Sequence, residues 1–160
     1  MLRSSRIGRV LRWLLLIGLC LFAIAQFIRP AKTNPASEGS RALEAQMTVD
    51  PKVAAILDRS CADCHSNKTR WPWYANVAPV SWFVIDHVNH GRSHLNFSEW
   101  GSYDKKEQQN LLQGMCGLTK GGDMPLSSYT PMHPGSKLTM EDVGTICTWA
   151  NAQQQLLLPR

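Results

Sequence analysis

The 160 residues contain no convincing alternation of apolar and polar positions, and no Asn-Gly or Asp-Gly pair to close a hairpin. A β-rich fold is thereby set aside. No internal repeat is present, and no aromatic-basic stripe or recognised nucleic-acid motif. There is little net charge once the N-terminus is set apart. The formal charge is +5, but residues 1–25 hold four arginines and no acid, so 13 basic and 12 acidic residues remain, or +1. The high isoelectric point is a property of that leading segment, and nucleic acid is not an expected partner. The chain also lacks a second CxxC pair, which a zinc site usually needs, and the βαβ pattern that would frame a redox CxxC.

What it does have is one pentapeptide, Cys61-Ala62-Asp63-Cys64-His65. Two cysteines three apart with histidine following at once are the attachment signature of a c-type haem. Each thiol adds to one porphyrin vinyl group, the turn between them sets the sulfur separation, and the imidazole reaches the iron from the same side. One covalently attached haem c is therefore the expected cofactor, with Cys61, Cys64 and His65 as its first three contacts.

Haem is attached outside the reducing cytoplasm, and the N-terminus agrees. Arg3, Arg6, Arg9 and Arg12 lead into an apolar run, residues 11–28, about as long as one membrane-spanning helix. Basic residues ahead of it keep that end in the cytoplasm. Residues 1–28 are read as a signal anchor, with a single pass through the inner membrane and the C-terminal domain in the periplasm. Ala23-Ile24-Ala25 offers the competing reading, cleavage before Gln26. Residues 29–49, rich in Pro, Ser, Ala and charge, read as a linker holding the domain off the membrane. Residues 50–158 form the folded domain.

Within that domain the signals are helical. Asp50-Pro51 marks a helix start, with Val53, Ile56, Leu57 and Ser60 on one face. A second helix is expected over 79–89, ended by Gly91, and a third over 104–115, with Gly117 just beyond. Thr139 and Asp142 resemble a capping box for the last helix, carrying Val143, Ile146, Cys147 and Ala150. Cys116 and Cys147 both lie in the exported part. They are either a disulfide, which oxidising conditions permit, or two separate buried thiols.

The order of these pieces resembles that of class I cytochromes c, and two longer stretches tighten the likeness. CHSNKTRWPWYANVAPVSWFVIDHVNHGRSHLNFSEW, residues 64–100, and GGDMPLSSYTPMHPGSKLT, residues 121–139, resemble the two signatures of the bacterial haem-binding domain family of small exported CxxCH proteins. FIRPAKTNP, residues 27–35, is similar to the segment after the anchor in such proteins. The resemblance implies an all-α, class I cytochrome c-like domain after a transmembrane helix. It brings no defined physiological reaction.

The face of the iron opposite His65 decides the function. Met124, in Gly121-Gly122-Asp123-Met124-Pro125, is the candidate, because a thioether favours ferrous iron, the glycines permit close approach, and it coincides with the second signature. The plainer reading is a methionine packed in the core. Met132 and His133 are rivals, with His133 better suited to a proline-bracketed turn. His87, His90 and His94 suggest a metal cluster, but Gly91 is expected to end the helix before His94. Trp71, Trp73, Tyr74, Trp82 and Trp100 either wall the haem or fill the core. Arg70 and Arg92 are candidate propionate partners, or ordinary surface charges.

With His65 and Met124 both bound, iron has no vacant position, and one-electron transfer is the expected work. The chain then reads as an electron carrier rather than an enzyme, with membrane or periplasmic redox proteins as partners. A gas or redox sensor with a labile methionine ligand is the alternative. Peroxidase activity would ordinarily require a second attachment motif, which is missing.

Overall fold

A computed structural model describes residues 2–158, with side chains from Arg6 onward; the side chain of Arg3 lies outside the described part. All regular structure among the described residues is helical. The helices are α1 (Leu2–Ala25), α2 (Leu43–Gln46), α3 (Pro51–Ser60), α4 (Ala62–His65), α5 (Val80–His94), α6 (Lys105–Gly121) and α7 (Met140–Leu157). Short 3₁₀ turns, such as Trp73–Asn76 and Phe97–Ser102, join some of them.

The chain divides into two compact units. One comprises Met1–Lys32 and Trp71–His87, the other Thr33–Arg70 and Val88–Arg160. In the first, α1 contains a stretch, Arg6–Ala25, long and apolar enough to cross a membrane. Its apolar side chains are exposed along the whole length, as lipid-facing residues would be.

The second unit is built on helix caps and one apolar core. Asp50 accepts a hydrogen bond from Lys52 N, Pro51 occupies the first helical position, and α3 buries Val53, Ile56, Leu57 and Ser60, the face its spacing predicts. Thr139 and Asp142 cap α7 reciprocally, and Asp104 and Glu107 do the same for α6. Leu43, Val53, Leu57, Phe97, Trp100, Leu112, Met115, Trp149 and Ala150 form the core. Arg59 and Asp142, 2.7 Å apart, tie α3 to the start of α7. Cys116 and Cys147 are bonded, joining α6 to α7 with Cα atoms 4.7 Å apart.

Three expectations change. Helix α5 does not stop at Gly91 but runs on to His94, and α6 runs through Gly114 and Gly117 until Gly122, in the left-handed conformation (φ 81°), closes it. Glycine weakens a helix without ending it when tertiary contacts hold the turn. The segment expected as a linker carries structure of its own. Leu43 of α2 is completely buried in the core, and the Trp149 indole donates to Thr48 O at 2.9 Å. The folded unit thus reaches back well before residue 50.

Candidate functional site

Helix α4 is a single turn, closed by His65 N donating to Cys61 O at 3.0 Å and Cys64 N to the same oxygen at 3.2 Å. Cys61 precedes the helix as its N-cap (φ −128°, ψ −38°), so both cysteines and His65 lie within one turn of chain. Cys61 and Cys64 are not bonded to each other. Burial and the neighbouring Cys64 push the Cys61 thiol up to about 12, and burial and Asp63 push Cys64 up to about 11. Both are protonated thiols at neutral pH.

His65 is oriented by the backbone. Its Nδ1 lies 3.0 Å from Leu95 O, and a carbonyl only accepts, so Nδ1 carries the proton and Nε2 presents a lone pair. Burial lowers the basicity of this imidazole, opposed by its backbone hydrogen bonds to Leu95 and Gly91, which raise it. The acceptor is itself held. Asn96 donates to Asn67 Oδ1 at 2.8 Å, Asn67 N donates to Ser98 Oγ at 3.0 Å, and Ser98 N donates to Asn96 Oδ1 at 3.0 Å. This buried polar ring fixes the chain just after Leu95. Phe97 lies against the imidazole, with ring centroids 6.2 Å apart.

Gly91 explains why α5 can lie so near the motif. A Cβ at this position would meet Cys64 O at 2.6 Å, closer than atoms pack. Only glycine admits the motif's backbone here.

Asp63, between the cysteines, is the hub of a second network. Its Oδ1 accepts from Arg70 Nε at 2.9 Å and Arg70 N at 3.1 Å, and its Oδ2 accepts from the Tyr129 hydroxyl at 2.8 Å. Thr69 Oγ1 donates to Asp63 O at 2.7 Å, and Arg70 also reaches Asp58. Tyr129 belongs to the loop after α6, five residues beyond Met124. Burial and the Asp63 carboxylate raise the phenol's pKa, keeping it a donor.

Met124 itself is half-buried at the end of α6, its N–H donating to Leu118 O at 3.2 Å. His133 takes the proline-bracketed role. Its Nδ1 is 2.9 Å from Tyr129 O, and its ring stacks on that of Tyr129 at 3.8 Å. Met132 points largely to solvent. The three histidines of α5 do not gather into a ligand set; among the described residues no group of three His, Cys, Asp or Glu side chains is placed to hold a metal ion.

Arg70 and Arg92 are committed to protein partners. Arg92 donates to Ser66 O, Thr33 O, Asn34 Oδ1 and Thr69 Oγ1, at 2.7–2.9 Å. Of the aromatics, Trp100 is fully buried in the core while Trp73 is exposed. Leu95 O, Gly91 and the Asp63–Tyr129 pair carry no local sequence signal, because each acts on a residue far along the chain.

Two unpaired thiols and an Nε2 lone pair within one turn of chain are the donor types that a covalently held haem would use. The family model for the haem-binding domain matches residues 20–152, most of the chain. The chain belongs to the haem-binding domain family. Membership supports haem as the cofactor. No curated protein and no solved structure matches the chain significantly.

Proposed function

We propose that this member of the haem-binding domain family is a membrane-anchored, monohaem c-type electron carrier. The observation that carries the reading is the His65 imidazole, its Nδ1 committed to Leu95 O, in the same turn of chain as the unpaired thiols of Cys61 and Cys64. Each sulfur would add to the inner carbon of one vinyl group while its hydrogen passes to the outer carbon, with no oxidant consumed. When bound, haem supplies a one-electron iron couple.

The chain's own residues do the rest. Leu95 O holds the proximal imidazole in the tautomer that can ligate and makes it more electron-donating. Met124 is the distal ligand in this reading, at the close of α6, with its loop tied to the motif through Tyr129 and Asp63. With His65 and Met124 both holding it, the iron would keep no open position for oxygen or peroxide, which would favour electron transfer over catalysis. Helix α1 stays in the inner membrane and delivers the domain to the periplasm. A tether of this kind raises the effective concentration of membrane-bound redox partners.

The test is an optical spectrum of the haem-loaded full-length protein, oxidised, reduced, and reduced with carbon monoxide, beside Met124→Ala. A near-infrared methionine–iron band in the parent, lost in the variant, with carbon monoxide bound readily only by the variant, is the expected result. A parent that lacks the band and binds the gas overturns the reading in favour of a gas or redox sensor.

A further inference from the structure

The first compact unit puts the foot of α1 and residues 71–87 together through specific bonds. The Gln26 side-chain amide donates to Ala78 O at 3.1 Å and accepts from Ala78 N at 3.0 Å, gripping that residue's backbone from both sides. The same amide reaches Phe22 O, in the last turns of α1. Two residues on, Ile28 O accepts the Trp82 indole N–H at 2.7 Å, and the Lys32 ammonium donates to Asn76 Oδ1. Residues 26, 28 and 32 thus meet 78, 82 and 76.

Depth follows from length. Arg6–Ala25 is 20 residues, and at about 1.5 Å per residue it covers about 30 Å, the thickness of a bilayer's hydrocarbon layer. With that stretch across the membrane, Gln26 and Ile28 lie at the headgroups, and whatever they hold by hydrogen bonds shares their depth. Large apolar side chains stand exposed there. Trp73 is 73 % exposed, Phe83 52 % and Val80 45 %, beside Phe27 at 87 %. Val80 and Phe83 are three apart in the first turn of α5 and share a face. Bare to water, such a group is unfavourable; at a membrane surface, aromatic rings with one apolar and one polar side are the favoured residues.

We propose that residues 71–83 form a second membrane contact, with Trp73, Val80 and Phe83 seated in the headgroup region of the lipid surface from which α1 emerges. The proposal rests on the anchor reading and goes beyond it, because a bare tether requires no apolar surface outside the spanning helix. The occupant is lipid rather than a protein, since the patch lies at the depth that the hydrogen bonds to Gln26 and Ile28 dictate.

The experiment uses the haem-loaded full-length chain, with Cys20→Ser, in phosphatidylcholine vesicles. Single cysteines are introduced as Trp73→Cys and Phe83→Cys, with Leu15→Cys and Met140→Cys as references, and each is labelled with an environment-sensitive fluorophore. Emission is compared between plain lipid and lipids brominated near the headgroup end or near the tip of the acyl chain, the second reporting on Leu15 at mid-span, so constant quenching by haem cancels. Labels at 73 and 83 are expected to lose emission by about two-fold or more while the label at 140 is unchanged. If 73 and 83 behave like 140 while 15 is quenched, the anchor stands and the second contact is overturned. If 15 is also unquenched, the anchor reading fails and the proposal fails with it.

Discussion

Residues 61–65 and the loop bearing Met124 are held in contrasting ways. The first is a single helical turn fastened by its neighbours: Leu95 O on the imidazole, α5 against Cys64 at Gly91, and Arg70 and Thr69 on Asp63. The second leaves α6 at Gly122 and is described by few long-range bonds, the main one being Tyr129 to Asp63. If His65 and Met124 are the iron's ligands, as proposed, the first is built into the domain, whereas the second rides on a loop latched by Tyr129 to Asp63 and by Gly135 O to Arg59. A proximal side fixed in this way suits retention of the cofactor, and the latch is where a carrier and a sensor would differ.

Removing the proximal attachment should give the largest effect. Cys61→Ala with Cys64→Ala should abolish haem that survives denaturation, read by haem staining of a denaturing gel, while either single change leaves one thioether and a shifted reduced band. Crowding the same side comes next. Gly91→Ala should destabilise by about 2–3 kcal/mol through overpacking against Cys64 O, and lower haem yield. Gly114→Ala, with open space around it, should instead stabilise by about 0.5–1 kcal/mol, since alanine is the better helix former. Equal effects in thermal unfolding would break the claim of a close approach.

On the distal side, Tyr129→Phe removes the latch to Asp63 and should cost about 1–2 kcal/mol. Its distinguishing readout is spectroscopic: easier displacement of the methionine ligand by carbon monoxide, with the proximal side intact. A further change tests the start of α7. Thr139→Ala should cost about 1 kcal/mol at the start of α7 and leave the spectrum unchanged. Thr139 and Arg59 hold the Asp142 carboxyl below its ordinary 3.8. Its contribution is therefore complete above that value and lost as pH falls through the lower folded one. Asp142→Asn should flatten the acid limb of an unfolding-midpoint profile.

What could be read in the chain beforehand follows from distance along it. The cap at Asp50, the buried face of α3 and the capping box at Thr139 are local patterns, and all three stand as expected. The motif itself is local too. Gly91 and Gly117 misled because a glycine need not end a helix: Gly91 admits a close approach, and Gly117 sits in open space within α6. Nothing in the motif's spacing marks Asp63. Its partner Tyr129 lies 66 residues away, beyond any periodicity. The Cys116–Cys147 pairing stayed open for the same reason, since spacing alone gives no Cα separation.

The bond between Cys116 and Cys147 has a topological consequence for the loop between them. The 31-residue span is a closed covalent ring that carries Met124 and Tyr129. A single backbone cut in residues 121–136 would open the ring but release neither half. The nicked protein would remain one molecule, heavier only by the water of hydrolysis, until a reductant parts it.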